Sequence, residues 1–485
     1  MINCVSIDEM KYFDAKTIEI VGSTTLMERA AKAVYEEIKD RDKKVYIISG
    51  GGNNGGDGIA LLNLFIKDGY KPYLYLASSH LSNDSQFFFD KLNGYNLIKD
   101  ISECDYDADI IVDCILGTGF SGEVKENIKG IINSINASKA HVISVDIASG
   151  LSGQSGVAKC AVKADKTIAI QFAKYGHYLQ DGKDYSGEII IKDIGIKAVT
   201  NTMKIIEDKD IFFKERKFNS NKSTFGKATV IGGCKNYVGA IKIANMGVSA
   251  LRIGAGLNVL AIPESIKDYV APQVVESTLM YLKDNDGYLA FDKEKLDEIV
   301  KTSSAIAIGP GMGPNKTENN KIIKYIIENA KCKVLIDADG LNAFEGEGKY
   351  FIDKENVVIT PHPKEFSRLF NLDMQALLED EVNILNSINN KCTILLKGTS
   401  TIVKKNDEKY MIVNGTSALA KGGSGDTLSG VILGLLTQGY DCEVAAYMGA
   451  YLCAKAATNL EKDYSQYGVL ASDVAKEVSK LVDKG

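Results

Sequence analysis

The sequence predicts an α/β protein that consists of two domains with mostly parallel sheets. Short apolar runs rich in β-branched residues alternate with helical segments along the chain, which is typical of parallel strands that helices cover on both faces. Thirteen such runs are too many for one open sheet, and 485 residues are too many for one hydrophobic core. The candidate strands are Val45–Ser49, Lys71–Leu76, Asp109–Ile115, His141–Asp146, Thr167–Ile170, Glu188–Ile191, Ala228–Ile231, Leu257–Ala261, Ala305–Ile308, Lys333–Asp337, Val357–Thr360, Cys392–Lys397 and Lys409–Val413.

The segment Ala198–Asn221 marks the predicted division between the domains. It is rich in charge and contains no glycine, whereas units of strand, glycine-rich loop and helix precede and follow it. We therefore expect one domain over residues 1–210 and a second over residues 211–485. Near the N-terminus, Ser6–Glu9 and Thr25–Glu28 both fit the capping box that begins many helices, so two helices are expected before the first strand.

Composition and charge exclude several classes of protein. Hydrophobic residues make up 45% and charged residues 25% of the chain, which is a soluble globular balance. The net charge of -6, without a basic stripe, argues against nucleic-acid binding. Nine scattered cysteines without a CxxC pair favour a reducing cytoplasm over disulfides or structural zinc. We expect no signal peptide and no membrane span, because the N-terminus is charged and apolar runs are short.

The most informative motif is Asn414–Gly430, which reads NGTSALAKGGSGDTLSG. Its three closely spaced glycines have no Cβ, so backbone N–H groups can close around an anion there. The apolar run Leu428–Leu436 predicts a helix whose positive N-terminal end faces the same anion. Asp426 then lies beside a phosphate, where it can act as a base on a hydroxyl group that meets a phosphoryl group. A plain helix start with an acidic first turn is the alternative interpretation.

A second glycine-rich loop, Gly50–Gly58, follows the first predicted strand and precedes a helix. This order of elements predicts a phosphate cradle at the carboxyl end of a parallel strand. The loop contains GxGxxG, but the next strand does not end in an acidic residue, and the Gly-Lys-Ser/Thr of a Walker loop is missing. The loop is therefore neither a standard dinucleotide fingerprint nor a P-loop.

Two further strand ends in the first domain carry aspartates that the fold brings to the same rim. Asp113 precedes a loop with three glycines, and Asp146 precedes Ser149 and a glycine. Asn54, Asp113 and Ser149 supply hard oxygens that can hold a cation, and Asp146 can be a general acid or base. Aspartates at strand ends are also common turn residues. The four histidines show no catalytic triad or metal spacing, so a hydrolase triad is not predicted.

The first domain resembles the NAD(P)H-hydrate epimerase family through GGGNNGGDG, VDCILGTGFSG and VDIASGLSG, which occur in the family's order. The resemblance implies a Rossmann-like three-layer domain, a potassium ion at Asn54, Asp113 and Ser149, and substrate contact or acid/base catalysis by Asp146. It implies that the enzyme interconverts the R and S forms of hydrated NADH or NADPH. The implied substrate-binding residues are Asn53, Asn54, Gly55, Gly56, Asp57, Gly117, Thr118, Gly119, Phe120, Ser121, Gly122, Glu123 and Asp146.

From residue 222 the sequence resembles the ADP-dependent NAD(P)H-hydrate dehydratases, which have a ribokinase-like α/β sandwich. The matching pieces are KATVIGG, GAIKIANMGVSALRIGAG, AIAIGPGMG, VLIDADGLNAF, ITPHPKEFSRLF, LLKGTSTIV and NGTSALAKGGSGDTLSG. The implied contacts to hydrated NAD(P)H are Ala240, Gly311, His362 and Asp426. The implied contacts to ADP are Lys397, Gly398, Thr399, Ser400, Thr401, Thr416, Ser417, Ala418, Leu419, Ala420, Lys421, Gly422, Gly423, Ser424 and Gly425.

The two resemblances together imply a repair enzyme for damaged nicotinamide nucleotides. Asp426 is expected to be the base for phosphoryl transfer from ADP or ATP to the S-hydrate, with Mg²⁺ at the nucleotide phosphates. We expect small-molecule partners, no nucleic acid or membrane partner, and a homo-oligomer. A ribokinase-like sugar or vitamin-precursor kinase fused to a nucleotide-binding domain is one alternative, and a non-catalytic nucleotide-binding scaffold is another.

Overall fold

The computed structural model of the chain describes residues 1–38, 43–92, 97–198, 200–235 and 240–482, without the side chains of 240–245 and 273. The chain forms two compact units: one spans Asn3–Met203, and the other spans Lys204–Gly485 and includes Met1–Ile2. The division lies inside the segment that the sequence singles out. That segment also contains a short strand that the apolar pattern did not predict, Met203–Ile205.

The N-terminal unit contains a seven-stranded parallel sheet in the order β4-β3-β2-β5-β6-β7-β9, and β1 pairs in parallel with β8. Its strands are β1 Ile2–Val5, β2 Val45–Ser49, β3 Tyr73–Leu76, β4 Ile98–Asp100, β5 Ile110–Cys114, β6 His141–Val145, β7 Lys166–Ile170, β8 Ala173–Lys174 and β9 Glu188–Lys192. Its helices are α1 Ile7–Val21, α2 Ser23–Ile38, α3 Asn53–Lys67, α4 Asn83–Asp90, α5 Glu126–Ala137 and α6 Gly182–Ser186.

Helices cover both faces of this sheet. Ile47 on β2 belongs to a core with α2 and α3, whereas its neighbour Ile48 belongs to a core with α5. Successive residues of a strand point to opposite faces, so this division is that of a three-layer domain. The expected Rossmann-like class is confirmed.

The starts of α1 and α2 test the two predicted capping boxes. Ser6 Oγ accepts a hydrogen bond from the N–H of Glu9, and Glu9 Oε2 accepts one from the N–H of Ser6, so the first prediction is confirmed. The second is wrong, because α2 begins at Ser23 and Thr25 lies inside the helix. Gly22, with φ +84, ends α1 immediately before α2. A glycine with positive φ therefore makes the tight turn between α1 and α2, and α2 begins directly after it.

The C-terminal unit has a mixed sheet in the order β13-β12-β11-β16-β17-β18-β19-β20-β21-β10, and β14 and β15 form a separate hairpin. Its strands are β10 Met203–Ile205, β11 Lys227–Ile231, β12 Leu257–Pro263, β13 Thr278–Leu282, β14 Asp284–Asn285, β15 Tyr288–Leu289, β16 Ala305–Ile308, β17 Lys333–Ile336, β18 Val357–Ile359, β19 Thr393–Leu396, β20 Thr401–Lys405 and β21 Glu408–Ile412. The sheet is parallel from β13 to β19, while β20 is antiparallel to both its neighbours.

The helices of this unit are α7 Ala240–Arg252, α8 Lys267–Val270, α9 Lys293–Thr302, α10 Lys316–Asn329, α11 Asp339–Asn342, α12 Pro363–Phe370, α13 Met374–Glu379, α14 Glu381–Ser387, α15 Ser424–Thr437, α16 Cys442–Gly468 and α17 Ala471–Leu481. The predicted helix after the glycine-rich loop is confirmed as α15. Its apolar residues are buried, and they share one core with α7 and α16. This packing fixes the N-terminal end of α15 at the carboxyl ends of the strands.

Within the described ranges, no helix is both long enough and apolar enough to cross a membrane.

Candidate active sites

The strand-end loops of the N-terminal unit surround one cavity of about 690 Å³. The loops after β2, β5 and β6 line it together with α1 and α2. In-register pairing of β2 with β5 and of β5 with β6 brings these loops to the same edge. The predicted residues that line the cavity are Asn53, Asn54, Asp57, Gly117, Thr118, Gly119, Phe120 and Asp146.

Other residues of the predicted loops have different surroundings. Gly55 and Gly56 lie in the first turn of α3, where a Cβ on Gly55 would lie 1.9 Å from Gly50 O. A Cβ on Gly56 would lie 2.6 Å from Met27 Cε. These two glycines therefore allow the close packing of the loop. At the other end, Glu123 is exposed and its carboxylate accepts a hydrogen bond from Lys159 at 2.7 Å.

Asp113 and Ser149 form a buried polar cluster, and Asn54, which lines the cavity, is linked to it through the backbone of Leu116. Asp113 accepts hydrogen bonds from the N–H and Oγ of Ser149 and from Ser144 Oγ. Burial raises the pKa of Asp113, and the Ser149 bonds oppose that shift. Asn54 donates through Nδ2 to Leu116 O at 3.1 Å, while its buried Oδ1 has no hydrogen-bond partner in the described part of the chain. These hard oxygens are suited to an alkali or alkaline-earth cation.

Asp146 adopts a strained backbone conformation at the end of β6. Its φ of +66 lies in the left-handed region, which is uncommon for a residue other than glycine. Its Oδ1 accepts hydrogen bonds from the N–H of Ile170 at 3.0 Å and from the buried amine of Lys174. The ring of His177 donates from Nε2 to the carbonyl of Asp146 at 2.9 Å, because its Nδ1 accepts the N–H of Lys174. Sequence reasoning missed Lys174 and His177.

Four carboxyl groups line this cavity: Asp14 on α1, Asp57 on α3, Asp84 on α4 and Asp146. Burial and the charge of Asp146 raise the pKa of Asp14 to about 6. Burial, followed by repulsion from Asp146 and Asp14, raises the pKa of Asp57 well above its usual range. Repulsion between like charges in one site thus adds to burial in raising the pKa of Asp14 and of Asp57.

The centre of the C-terminal site is a buried ion-pair network around Lys397. The Nζ of Lys397 lies 3.1 Å from Asp337 Oδ1 and 4.0 Å from Glu365 Oε2. Burial lowers the pKa of Lys397, but attraction to the two carboxylates outweighs this and raises the pKa overall. Ser429 on α15 donates to Asp337 Oδ2 at 2.7 Å. The network thereby joins the ends of β17 and β19 to α12 and α15.

Asp426 lies in the first turn of α15, beside this network. Its charge adds to those that raise the pKa of Lys397, and the Nζ of Lys397 lies 3.8 Å from the point where a Cβ on Gly425 would be. Gly423, with φ +94, is the N-cap of α15. The predicted glycine loop, aspartate and helix N-terminus are thus brought together with Lys397.

The Thr416–Gly425 loop is anchored to the end of α16. The amine of Lys421 donates to the carbonyls of Tyr467 at 2.6 Å and Val469 at 2.7 Å, and Thr416 donates a hydrogen bond to Glu461. A Cβ on Gly422 would meet open space. The amine of Lys421 therefore binds backbone carbonyl groups of the protein. Gly422 leaves the surface of the loop open.

The remaining predicted residues of this site have varied surroundings. His362 caps α12 by accepting the N–H of Glu365 on Nδ1 at 3.2 Å, and burial lowers its pKa. Ser400 and Ala418 are buried. Gly311, with φ +64, lies in the loop after β16. Ala240 begins α7, but its side chain is outside the described part of the structure.

Sequence reasoning missed three groups of the Lys397 network, although each lies in or beside a quoted motif. Asp337 follows β17 in VLIDADGLNAF, Glu365 lies in ITPHPKEFSRLF, and Ser429 lies in NGTSALAKGGSGDTLSG. The available signal was the strand-end position of Asp337, the same signal that picked out Asp113 and Asp146. For Glu365 and Ser429 the sequence carried no signal beyond the motifs themselves.

Comparison with known proteins relates both units to described families. The profile of a family described as NAD(P)H-hydrate dehydratase matches residues 228–480, and that of the YjeF-related protein N-terminus matches residues 23–176. A relative from Dictyoglomus turgidum is 30% identical over 95% of this chain and 94% of its own. One from Coxiella burnetii is 30% identical over 96% of both chains. Both relatives are named bifunctional NAD(P)H-hydrate repair enzyme Nnr.

A solved structure gives independent information on the fold. A ribokinase-like superfamily protein from Enterococcus faecalis matches with a TM-score of 0.50 and 24% identity, over 58% of this chain and 96% of that chain. This likeness confirms the predicted ribokinase-like fold. Because the sequence matches extend over almost the whole chain, the chain belongs to the family of bifunctional NAD(P)H-hydrate repair enzymes, in which an epimerase domain precedes a dehydratase domain.

Proposed function

We propose that the two sites act in succession on hydrated NADH and NADPH. The N-terminal site interconverts the R and S forms, and the C-terminal site dehydrates the S form at the expense of ADP or ATP. The observation that carries the proposal is the position of Asp426 in the first turn of α15, beside the Lys397 network. A carboxylate next to an anion-binding helix N-terminus is suited to phosphoryl transfer to a hydroxyl group.

In the proposed dehydration, Asp426 takes the proton from the C6 hydroxyl of the S-hydrate. The hydroxyl oxygen then attacks the terminal phosphoryl group of the nucleotide. The positive N-terminal end of α15 and the charge of Lys397 stabilise the negative charge that develops there. The phosphate leaves C6 as the lone pair of the ring nitrogen forms a C=N bond. Loss of a proton from C5 to solvent then returns that electron pair to nitrogen and forms the C5–C6 double bond of NADH or NADPH.

The nucleotide is proposed to bind along the loops Lys397–Thr401 and Thr416–Gly425. Ala240, Gly311 and His362 are proposed to contact the hydrated nicotinamide nucleotide. The described residues hold no group of three His, Cys, Asp or Glu side chains that is suited to a metal ion. Mg²⁺ is often held by one or two carboxylates and substrate phosphates, so the nucleotide would supply most of its ligands. When bound, Mg²⁺ would neutralise charge on the phosphates.

In the proposed epimerisation, Asp146 moves a proton at the C6 hydroxyl. Asn54, Asp113 and Ser149 are proposed to hold a potassium ion, because the buried Asn54 Oδ1 has no hydrogen-bond partner among the described residues and lies with two further oxygen ligands. When bound, the ion would supply positive potential next to the substrate. The loops Asn53–Asp57 and Gly117–Glu123 are proposed to bind the nucleotide part of the substrate.

The proposed setting is the cytoplasm, and the proposed partners are small molecules. All nine cysteines are free thiols, as is common in a reducing compartment. Neither a nucleic acid nor a membrane is proposed as a partner, in line with the net charge of -6. We also propose a homo-oligomer, and sedimentation of the full chain would test it.

The decisive experiment separates the two activities with one substitution. Asp426→Asn removes the proposed base and keeps the shape, so nucleotide-dependent recovery of absorbance at 340 nm from acid-treated NADH should fall by about 10²-fold or more. Epimerisation should stay at the wild-type rate. Glu294→Gln is the matched control, because it neutralises an acidic residue in the first turn of another helix of the same unit, α9.

Two outcomes would contradict the proposal. Dehydration by Asp426→Asn at the wild-type rate would refute the assignment of the base. A stable phosphorylated product without recovery of NADH in the wild type would refute dehydration and favour a kinase.

A further inference from the structure

The cavity of the N-terminal unit carries more carboxyl groups than its proposed substrate explains. Asp14, Asp57, Asp84 and Asp146 line it, and Lys11 is the one lysine in its lining among the described residues. Hydrated NADH and NADPH carry negative phosphates, which such a wall repels. We therefore expect these carboxyl groups to act chemically on the uncharged, hydrated ring of the substrate and not to bind its phosphates.

Asp14 is the carboxyl group of this set that lies on α1. It is half-buried in the wall that α1 contributes, next to Met10 and Lys11. It has no hydrogen-bond or ion-pair partner within the described chain, whereas Asp146 is held by Lys174 and Ile170. The carboxyl group of Asp14 therefore lines the cavity and is available to act on a substrate.

The surroundings of the two groups differ. Burial and the charge of Asp146 raise the pKa of Asp14 to about 6, which favours its protonated form more than in water. The carboxyl group of Asp146 instead accepts hydrogen bonds from the buried amine of Lys174 and from the N–H of Ile170. Two carboxyl groups with environments of this kind are a common arrangement for paired acid and base catalysis.

We propose, on the basis of the proposed epimerase function, that Asp14 is a second catalytic acid/base group and acts on the face of C6 opposite to Asp146. An epimerisation moves a hydroxyl group from one face of a carbon to the other, so each face needs its own proton donor and acceptor. Asp146 follows the end of β6, whereas Asp14 lies on α1. Each of these two elements therefore supplies one carboxyl group to the cavity.

The reaction balances without an oxidant or reductant. Asp14 gives its proton to the C6 hydroxyl, the C6–O bond breaks, and the lone pair of the ring nitrogen forms a C=N bond as water leaves. A second water adds to C6 from the other face, the C=N pair returns to nitrogen, and Asp146 takes the proton. In the reverse reaction Asp146 donates the proton and Asp14 accepts it. Exchange with solvent restores the starting protonation of both groups after each turnover.

The test follows conversion of purified R-hydrate to S-hydrate by chromatography, with the full chain and without nucleotide, so that dehydration does not interfere. Asp14→Asn should lower kcat/KM by about 10²-fold or more, and Asp14→Glu should restore part of the rate because it restores an acid. Glu19→Gln is the matched control, since it removes an exposed carboxylate from the same helix. Nucleotide-dependent dehydration of S-hydrate, which is expected to be unchanged, reports that the C-terminal unit is intact, and partial recovery in Asp14→Glu reports that the N-terminal unit still folds with a changed residue at this position.

The pH profile gives a second measurement. In the direction that uses Asp14 as the acid, kcat/KM should fall as the pH rises through about 6, and this limb should be absent from Asp14→Asn. The titratable groups that face Asp14 are Lys11, Asp57, Asp84, Asp146 and Lys174.

Oxygen labelling gives a third measurement. In water enriched in ¹⁸O, each epimerisation should place one ¹⁸O at C6, because the hydroxyl that enters comes from a different water than the one that leaves. Retention of ¹⁶O, or a wild-type rate in Asp14→Asn, would overturn the role of Asp14. Failure of the wild type itself to exceed the uncatalysed rate would instead overturn the proposed epimerase function.

Discussion

Replacement of Lys397 by methionine should destabilise the C-terminal unit, because it removes the one cation from a buried network. Methionine has a similar length but no charge. The side chains of Asp337 and Glu365 are only 4% and 9% exposed, so water cannot replace the lost amine. Two carboxylates would then face each other without a counter-ion.

The expected magnitude follows from the distances. At an effective dielectric constant of about 20, unit charges 3.1 Å and 4.0 Å apart attract by roughly 5 and roughly 4 kcal/mol. The burial of the amine offsets much of this attraction. Loss of one partner of such a pair costs about 3–5 kcal/mol, because the remaining charge stays buried. In the variant, one carboxylate can take up a proton instead of staying charged. The cost of this proton uptake limits the destabilisation to a similar value, since each unit of pKa is worth about 1.4 kcal/mol.

The assay is scanning calorimetry of the full chain, in which the transition that ADP raises identifies the C-terminal unit. Lys397→Met should lower that transition by roughly 10 °C, while Lys397→Arg, which keeps the charge, should lower it much less.

A melting temperature within about 2 °C of wild type would refute this reasoning, because the lysine would then not compensate the two carboxylates. Partial recovery in the double variant Lys397→Met/Asp337→Asn would support it, since that variant removes the unpaired charge as well.

Two further predictions concern the loop anchor and the buried histidine. Lys421→Met should raise KM for the nucleotide by about tenfold with little change in kcat, because the variant loses hydrogen bonds between the loop and α16; steady-state kinetics with varied ADP checks this. Burial and the charge of Lys174 lower the pKa of His177 to about 4. The N-terminal unit should therefore lose about 3 kcal/mol as the pH falls from about 6.5 to about 4, and urea unfolding should show a flatter pH profile for His177→Gln.

The sequence allowed the fold and the rims of both sites to be predicted, and the reason is the parallel sheet. In such a sheet all carboxyl ends lie at one edge. Polar residues after consecutive strands therefore converge, as Asp113 and Asp146 do. The buried strands were also recognisable, because their apolar runs are nearly continuous. The short strands β1, β4, β8, β10, β14 and β15 were missed, because two to four residues carry too little pattern. The five-residue strands β13 and β20 were missed as well.

The partners of the site residues were not predictable, because pairing depends on contacts between distant parts of the chain. Lys174 lies 28 residues from Asp146, and Lys397 lies 60 residues from Asp337. A lysine in an apolar stretch gives no sign of whether it is buried or reaches water. The left-handed φ of Asp146 was equally hidden, since strain of this kind is set by the surrounding structure.

A buried lysine beside an aspartate occurs in both sites, and stability is a poor explanation for it. Buried ion pairs are often no more stabilising than apolar residues of the same size, because both charges lose water. In the N-terminal unit the lysine holds a carboxylate in a strained conformation at a strand end. In the C-terminal unit it joins three elements next to Asp426. Both pairs lie where a strand ends at a proposed reaction centre. Their common purpose is then to fix a carboxyl group in place, a task that an apolar pair of the same size cannot perform.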